Sequence, residues 1–132
     1  GSPAMNFFEA KIEKADGKLI VNAGSFQIDI PKDRAKAYDS YIGKDVTFGI
    51  RPEDIHNVKF LPTDIKPSKV KAKVEVVELM GNEIVGYLKS GEKEYVARVD
   101  PRSDFSYGDN VEVVFNAANI HIFDKDTEAA IR

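Results

Sequence analysis

Apolar and polar residues alternate along most of this chain. Phe8, Ala10 and Ile12 interleave with Glu9, Lys11 and Glu13, Phe26, Ile28 and Ile30 with Gln27 and Asp29, and Val46, Phe48 and Ile50 continue the pattern. A period of two sorts residues onto the two faces of a strand, whereas a helix spreads the same pattern around its circumference. Turn formers punctuate the alternation: Asp16-Gly17, Ala23-Gly24, Gly81-Asn82, Ser90-Gly91, Asp100-Pro101 and Gly108-Asp109. Asp and Gly tolerate the positive φ of a tight hairpin, and Pro cannot donate to a ladder. The later strands are predicted over Val70 to Met80, Glu83 to Leu88, Glu94 to Val99, Asn110 to Asn116 and Asn119 to Phe123. Many short strands at regular spacing predict an all-β fold, a closed or nearly closed barrel.

One segment changes period. Ala35, Tyr38 and Ile42 fall at i, i+3 and i+7, which predicts one short helix over Lys32 to Ile42, with Pro31 at its start and Gly43 as its stop. Arg51-Pro52-Glu53-Asp54 turns the chain, and Asn57 to Ser68, with Pro62 and Pro67, reads as a loop between two halves. The chain of 132 residues is therefore read as one domain: residues 1–6 lead in, 7–67 form a first half, 68–125 a second, and 126–132 a tail expected to fray.

Charge and composition narrow the functions. The net charge is −3 and the pI about 5.4. Nucleic-acid binders draw affinity from neutralising phosphates, so no nucleic acid is expected as a partner. Lys69, Lys71 and Lys73 share a strand face, which reads as solvated. With no cysteine, the chain has no disulfide framework and no thiol nucleophile or ligand. No apolar run reaches the roughly 18 residues that span a bilayer, and the first residues lack a basic-then-apolar secretion signal, so membrane contact is expected only through a partner.

Catalytic patterns are missing. A phosphate-binding loop ends in Gly-Lys-Ser/Thr, but Gly43-Lys44 runs into Asp45 and Gly17-Lys18 into Leu19. His56 and His121 are the two histidines, too few for a metal site by themselves, and no serine stands in a nucleophile elbow. Glu53-Asp54 and Glu75 with Glu78 carry little weight as acid–base pairs among 22 acidic residues. Phe7, Phe8, Phe26, Phe48, Phe60, Phe115 and Phe123 read mainly as core packing. Gly81 reads as a turn or bulge residue, or as a place where a partner approaches bare backbone.

Three stretches go further. Phe48-Gly49-Ile50-Arg51-Pro52-Glu53 resembles the Gly-Ile-Arg-Pro-Glu signature in the C-terminal domain of sugar-importer ATPase subunits of the maltose and glycerol-phosphate type. Val77-Glu78-Leu79-Met80-Gly81-Asn82-Glu83 is similar to that family's Val-Glu-x-x-Gly-x-Glu, and His121-Ile122-Phe123-Asp124 to Thr127 to its closing strand. Glu128 stands where glycine is common there. Gly1-Ser2-Pro3-Ala4-Met5-Asn6-Phe7 resembles the junction with the family's ATPase domain.

The resemblance implies an OB-type barrel, a transport-associated module, that is not itself an enzyme. It implies a regulatory and dimerisation domain of the ATP-binding subunit of an ABC importer for sugars or related solutes. Implied partners are a second copy, the subunit's own ATPase domain, the membrane subunits indirectly, and in some members a regulatory protein. ATP and magnesium belong to the ATPase domain and no cofactor to this one. The implied location is cytoplasmic, on the inner face of the membrane through the complex. Gly49, Arg51, Pro52, Glu53, Gly81, Asn82 and Glu83 carry over as regulatory or interface candidates. Arg51 could pair with Glu53 or cap backbone carbonyls, and Glu53 could accept backbone N–H bonds in a rigid turn. The alternative is a domain sensing a small ligand, an oxyanion or sugar phosphate, with Arg102-Ser103 as the candidate contact.

Overall fold

The computed structural model describes residues 3–131. Ten strands form two five-stranded antiparallel sheets. In order along the chain they are β1 (Asn6–Ala15), β2 (Lys18–Asn22), β3 (Gln27–Asp29), β4 (Asp45–Ile50), β5 (Ile55–Asn57), β6 (Pro67–Met80), β7 (Glu83–Ser90), β8 (Lys93–Val99), β9 (Asn110–Asn116) and β10 (His121–Asp124). One sheet runs β10-β4-β1-β2-β3, the other β5-β9-β6-β7-β8. The two halves of the chain thus exchange strands: β5 leaves the first to pair with β9, and β10 returns from the second to pair with β4. The curled sheets enclose one core, in keeping with an OB-type barrel.

Alternation selects the buried faces. Phe8, Ala10 and Ile12 of β1 and Val70, Ala72 and Val74 of β6 point inward, while Lys69, Lys71 and Lys73 are exposed. At the centre, Phe8, Phe26, Phe48, Tyr95 and Phe115 join both sheets, with neighbouring ring centroids 5.2 to 6.4 Å apart. Such aromatic packing adds to the area each ring buries. Phe7 lies on the opposite face of β1 and is 60% exposed, and Phe60 and Phe123 are half-buried, so these three are not core residues. Asp16 and Gly17, both at positive φ, make the expected two-residue hairpin between β1 and β2.

Three expectations change. The helix is one α turn, α1 (Lys32–Ala35), continued by a 3-10 stretch (Lys36–Tyr41). Pro31 offers no side-chain cap, and three residues per turn align Ala35, Tyr38 and Tyr41 rather than Ile42, which is left 41% exposed. Asn119 belongs to a 3-10 turn before β10, not to the strand. The tail, expected to fray, is folded back against β10 as far as Ile131. Asp124 Oδ1 accepts the N–H groups of Asp126 and Thr127, both at 2.9 Å, and Ile131 N–H donates to Ile122 O at 2.8 Å. Gly1 and Ser2 of the lead-in and Arg132 of the tail lie outside the described residues.

Candidate functional site

The first motif is a corner between the sheets. Gly49 pairs with Phe7 on one side and His121 on the other. A Cβ there would stand 2.6 Å from Met5 Sδ and 3.2 Å from Phe123 Cε2, so glycine lets the neighbouring side chains close over β4. Arg51 is extended, and Pro52 opens a 3-10 turn (Pro52–Asp54) whose preset φ suits that position. Asp54 N–H donates to Arg51 O at 3.0 Å. The turn packs against β8. Glu53 is exposed and, among the described residues, neither pairs with Arg51 nor accepts a backbone N–H. Backbone bonds close the turn without it. Arg51 instead sets Nη1 3.1 Å from His121 Nε2, and among the described residues it caps no carbonyl.

The second motif is a hairpin tip. Gly81, at φ +61, and Asn82 link Met80 to Glu83 as a two-residue loop. Glycine first in such a loop is a backbone requirement, and beyond its own chain neighbours no heavy atom of the described residues lies within 4 Å of a Cβ built there. Glu83 Oε2 stands 3.7 Å from Arg98 Nε of β8, in an exposed pair. Both motifs therefore approach β8, and no hydrogen bond or ion pair joins them among the described residues.

Sequence reasoning missed the apolar character of that hairpin. A register shift between Val74 and Val76 turns the strand, and β9 pairs with β6 only as far as Lys73. Beyond it the hairpin projects with Val76, Leu79 and Met80 exposed by 50%, 81% and 54%. A bulge reassigns faces, so simple alternation could not show which side these residues take. The adjacent apolar pair Leu79-Met80 was the available signal. Beside it, a groove of about 590 Å³ is lined by Pro3, Met5, Phe7, Val76 and Tyr87. A hydrogen bond to Glu78 raises the Tyr87 phenol above its ordinary pKa.

Arg102 and Ser103 are already engaged. Arg102 binds Asp100 through Nε at 2.9 Å and Nη2 at 3.0 Å and stacks 4.3 Å from the Phe60 ring centroid. The hydrogen bonds from the Arg102 side chain and backbone hold the Asp100 carboxyl down at about 2. Ser103 is buried and its Oγ takes Asn57 Nδ2 at 3.0 Å. His56 is half-buried, which lowers its pKa against the opposing charge of Asp54. No group of three or more His, Asp or Glu could hold a metal ion among the described residues.

Residues 1–55 match the model of the MalK OB fold domain and residues 48–123 that of the TOBE domain. The chain is 42% identical over 134 aligned residues to the oligosaccharides import ATP-binding protein MsmX of Bacillus subtilis, covering 100% of this chain and 36% of that protein. It is 37% identical to the trehalose/maltose import ATP-binding protein MalK of Thermococcus litoralis, covering 99% and 35%. The chain thus spans little more than a third of the relatives it matches. In fold it is similar to the cytoplasmic molybdate-binding protein ModG, with a TM-score of 0.65, 14% identity, and coverage of 89% of this chain and 94% of that one.

Proposed function

We propose, from the premise that this chain belongs to the TOBE domain family, that it is the non-catalytic regulatory and dimerisation domain of an ATP-binding subunit of an ABC importer for sugars or related solutes. The carrying observation is identity of 42% across the whole chain with an oligosaccharide import ATP-binding protein, over about a third of that protein's length. A module of that size beside an ATPase leaves ATP and magnesium to the ATPase domain.

The projecting hairpin supports the dimerisation role. Exposed large apolar residues grouped on one element mark an association surface more often than scattered ones do. Val76, Leu79 and Met80 form such a group beside the groove at Phe7. A second copy on this surface would hold two ATPase domains at high effective concentration while they open and close. A regulator that favours one arrangement of the pair would then shift activity by population. The same reading puts the subunit in the cytoplasm, held to the membrane through the importer's membrane subunits.

Sedimentation equilibrium of the chain over a concentration series tests the clasp. A mass of twice 14.7 kDa supports it. A monomer at every concentration removes the dimerisation role from this domain.

A further inference from the structure

A second concavity lies away from the hairpin, where the 117–119 turn and β10 meet the Arg51 corner and α1. It measures about 330 Å³. Arg34 and Arg51 line it together with His121, and Ile120, Ile122 and Ile131 give it apolar surface. No acidic side chain lines it among the described residues, although the chain carries a net charge of −3.

The cationic groups are fixed in place but not neutralised. Arg34 Nη2 donates to Tyr38 Oη at 2.7 Å and its Nη1 to Ala118 O at 3.4 Å. Neither Arg34 nor Arg51 has a carboxylate within ion-pair distance among the described residues. Arg51 Nη1 stands 3.1 Å from His121 Nε2, whose ring stacks near Phe123 with centroids 6.3 Å apart. Guanidinium has donors only, so the imidazole nitrogen accepts in this contact. Two guanidinium groups lining one hollow put positive charge and their remaining N–H donors where the oxygens of a carboxylate or phosphate could accept them. The volume falls at the lower end of small-molecule sites, and the isoleucines suit a carbon skeleton rather than a bare ion.

We propose that this concavity binds a small organic anion, with its carboxylate or phosphate held between Arg34 and Arg51 and its carbon skeleton against Ile120 and Ile122. A ligand there would touch the Arg51 corner and the last strand at once. It would thus bear on the relation between β4 and β10 without involving the projecting hairpin.

The test is a titration of the isotope-labelled chain followed by amide chemical shifts. The probes are glucose 6-phosphate, gluconate, inorganic phosphate and glucose at millimolar concentrations. Saturable shifts over residues 118–122 are expected with glucose 6-phosphate, gluconate or both, and the difference between those two identifies the charged group. Arg51→Gln and Arg34→Gln should each weaken binding about tenfold or more, the scale of losing a charge-assisted hydrogen bond. Thermal unfolding of both variants establishes that they fold, and Arg51→Lys, which keeps the charge without the fork, should bind between wild type and Arg51→Gln. Equal shifts with neutral glucose, undiminished binding in both Gln variants, or no saturable shift with either organic anion would overturn the site. Inorganic phosphate binding as tightly as glucose 6-phosphate would overturn its organic character.

Discussion

The side chain of Asn6 pairs with the backbone of Val96 as a neighbouring strand would. Nδ2 donates to Val96 O at 2.8 Å and Oδ1 accepts Val96 N–H at 2.9 Å. Nδ2 also reaches Ile50 O at 3.2 Å. Val96 lies on β8, the edge of its sheet, and Asn6 begins β1 in the other. One buried amide therefore closes a seam that no backbone ladder crosses among the described residues. Ser25 Oγ to Ser90 O at 2.6 Å ties the sheets elsewhere.

Replacing Asn6 should open that seam. Asn6→Ala leaves a buried donor and acceptor on Val96 without partners, which costs about 3 kcal/mol. Asn6→Asp should cost more, because a carboxylate then faces two carbonyl oxygens. Urea unfolding of the three proteins reads the order. Stability of Asn6→Asp equal to wild type would contradict it.

The two motif glycines should fail for different reasons. At Gly81 the penalty is backbone alone: Gly81→Val should lower stability by about 1–2 kcal/mol, while Gly81→Asn, which tolerates positive φ, loses less. At Gly49 the backbone permits any residue, but the added atoms meet Met5 and Phe123. Gly49→Val should therefore be rescued in part by Met5→Ala, whereas Gly81→Val should not. Melting temperatures of the single and double variants separate the two cases.

Glu128 holds φ +62, a left-handed conformation in which a side chain is strained. Its N–H donates to Asp124 O at 2.8 Å, so the conformation is needed to fold the tail back. Glu128→Gly should relieve the strain and slow amide exchange at Ile131, with a gain of up to about 1 kcal/mol. Faster exchange at Ile131 in the variant would refute this.

Burial pushes the Tyr95 phenol up to about 12 from an ordinary 10.0. The folded state then holds its proton where the unfolded chain releases it. The stabilisation is complete below pH 10 and is lost as pH rises from 10 through 12, about 2–3 kcal/mol in all. Tyr95→Phe should flatten that part of the profile. Denaturant unfolding of both proteins between pH 9 and 12, compared by difference, isolates it from the lysines; parallel profiles would disprove it.

If the projecting hairpin carries self-association, Leu79→Glu with Met80→Glu should shift sedimentation toward monomer by about tenfold or more in dissociation constant. Both positions are exposed, so the melting temperature at low concentration should stay within about 2 °C. A doubly substituted chain that still dimerises would move the clasp off this hairpin.

The alternation of Phe8, Ala10 and Ile12 and of Val70, Ala72 and Val74 was enough to set strands and their buried faces, because a period of two leaves no other element to fold. Asp16-Gly17 and Gly81-Asn82 set hairpins, since few residues accept their backbone angles. The motif around Arg51 and Pro52 marked a corner and a family. Tertiary structure alone decided what lies around that corner. It brought Arg51 to His121, seventy residues away, instead of to Glu53, and set Arg34 at the same hollow. It made Asn6 a cross-sheet strap, turned Val76 outward through a bulge, and carried Leu79 and Met80 past the end of β9. Those outcomes depend on strand order and on one register shift, and neither is written in the local pattern that fixes each strand.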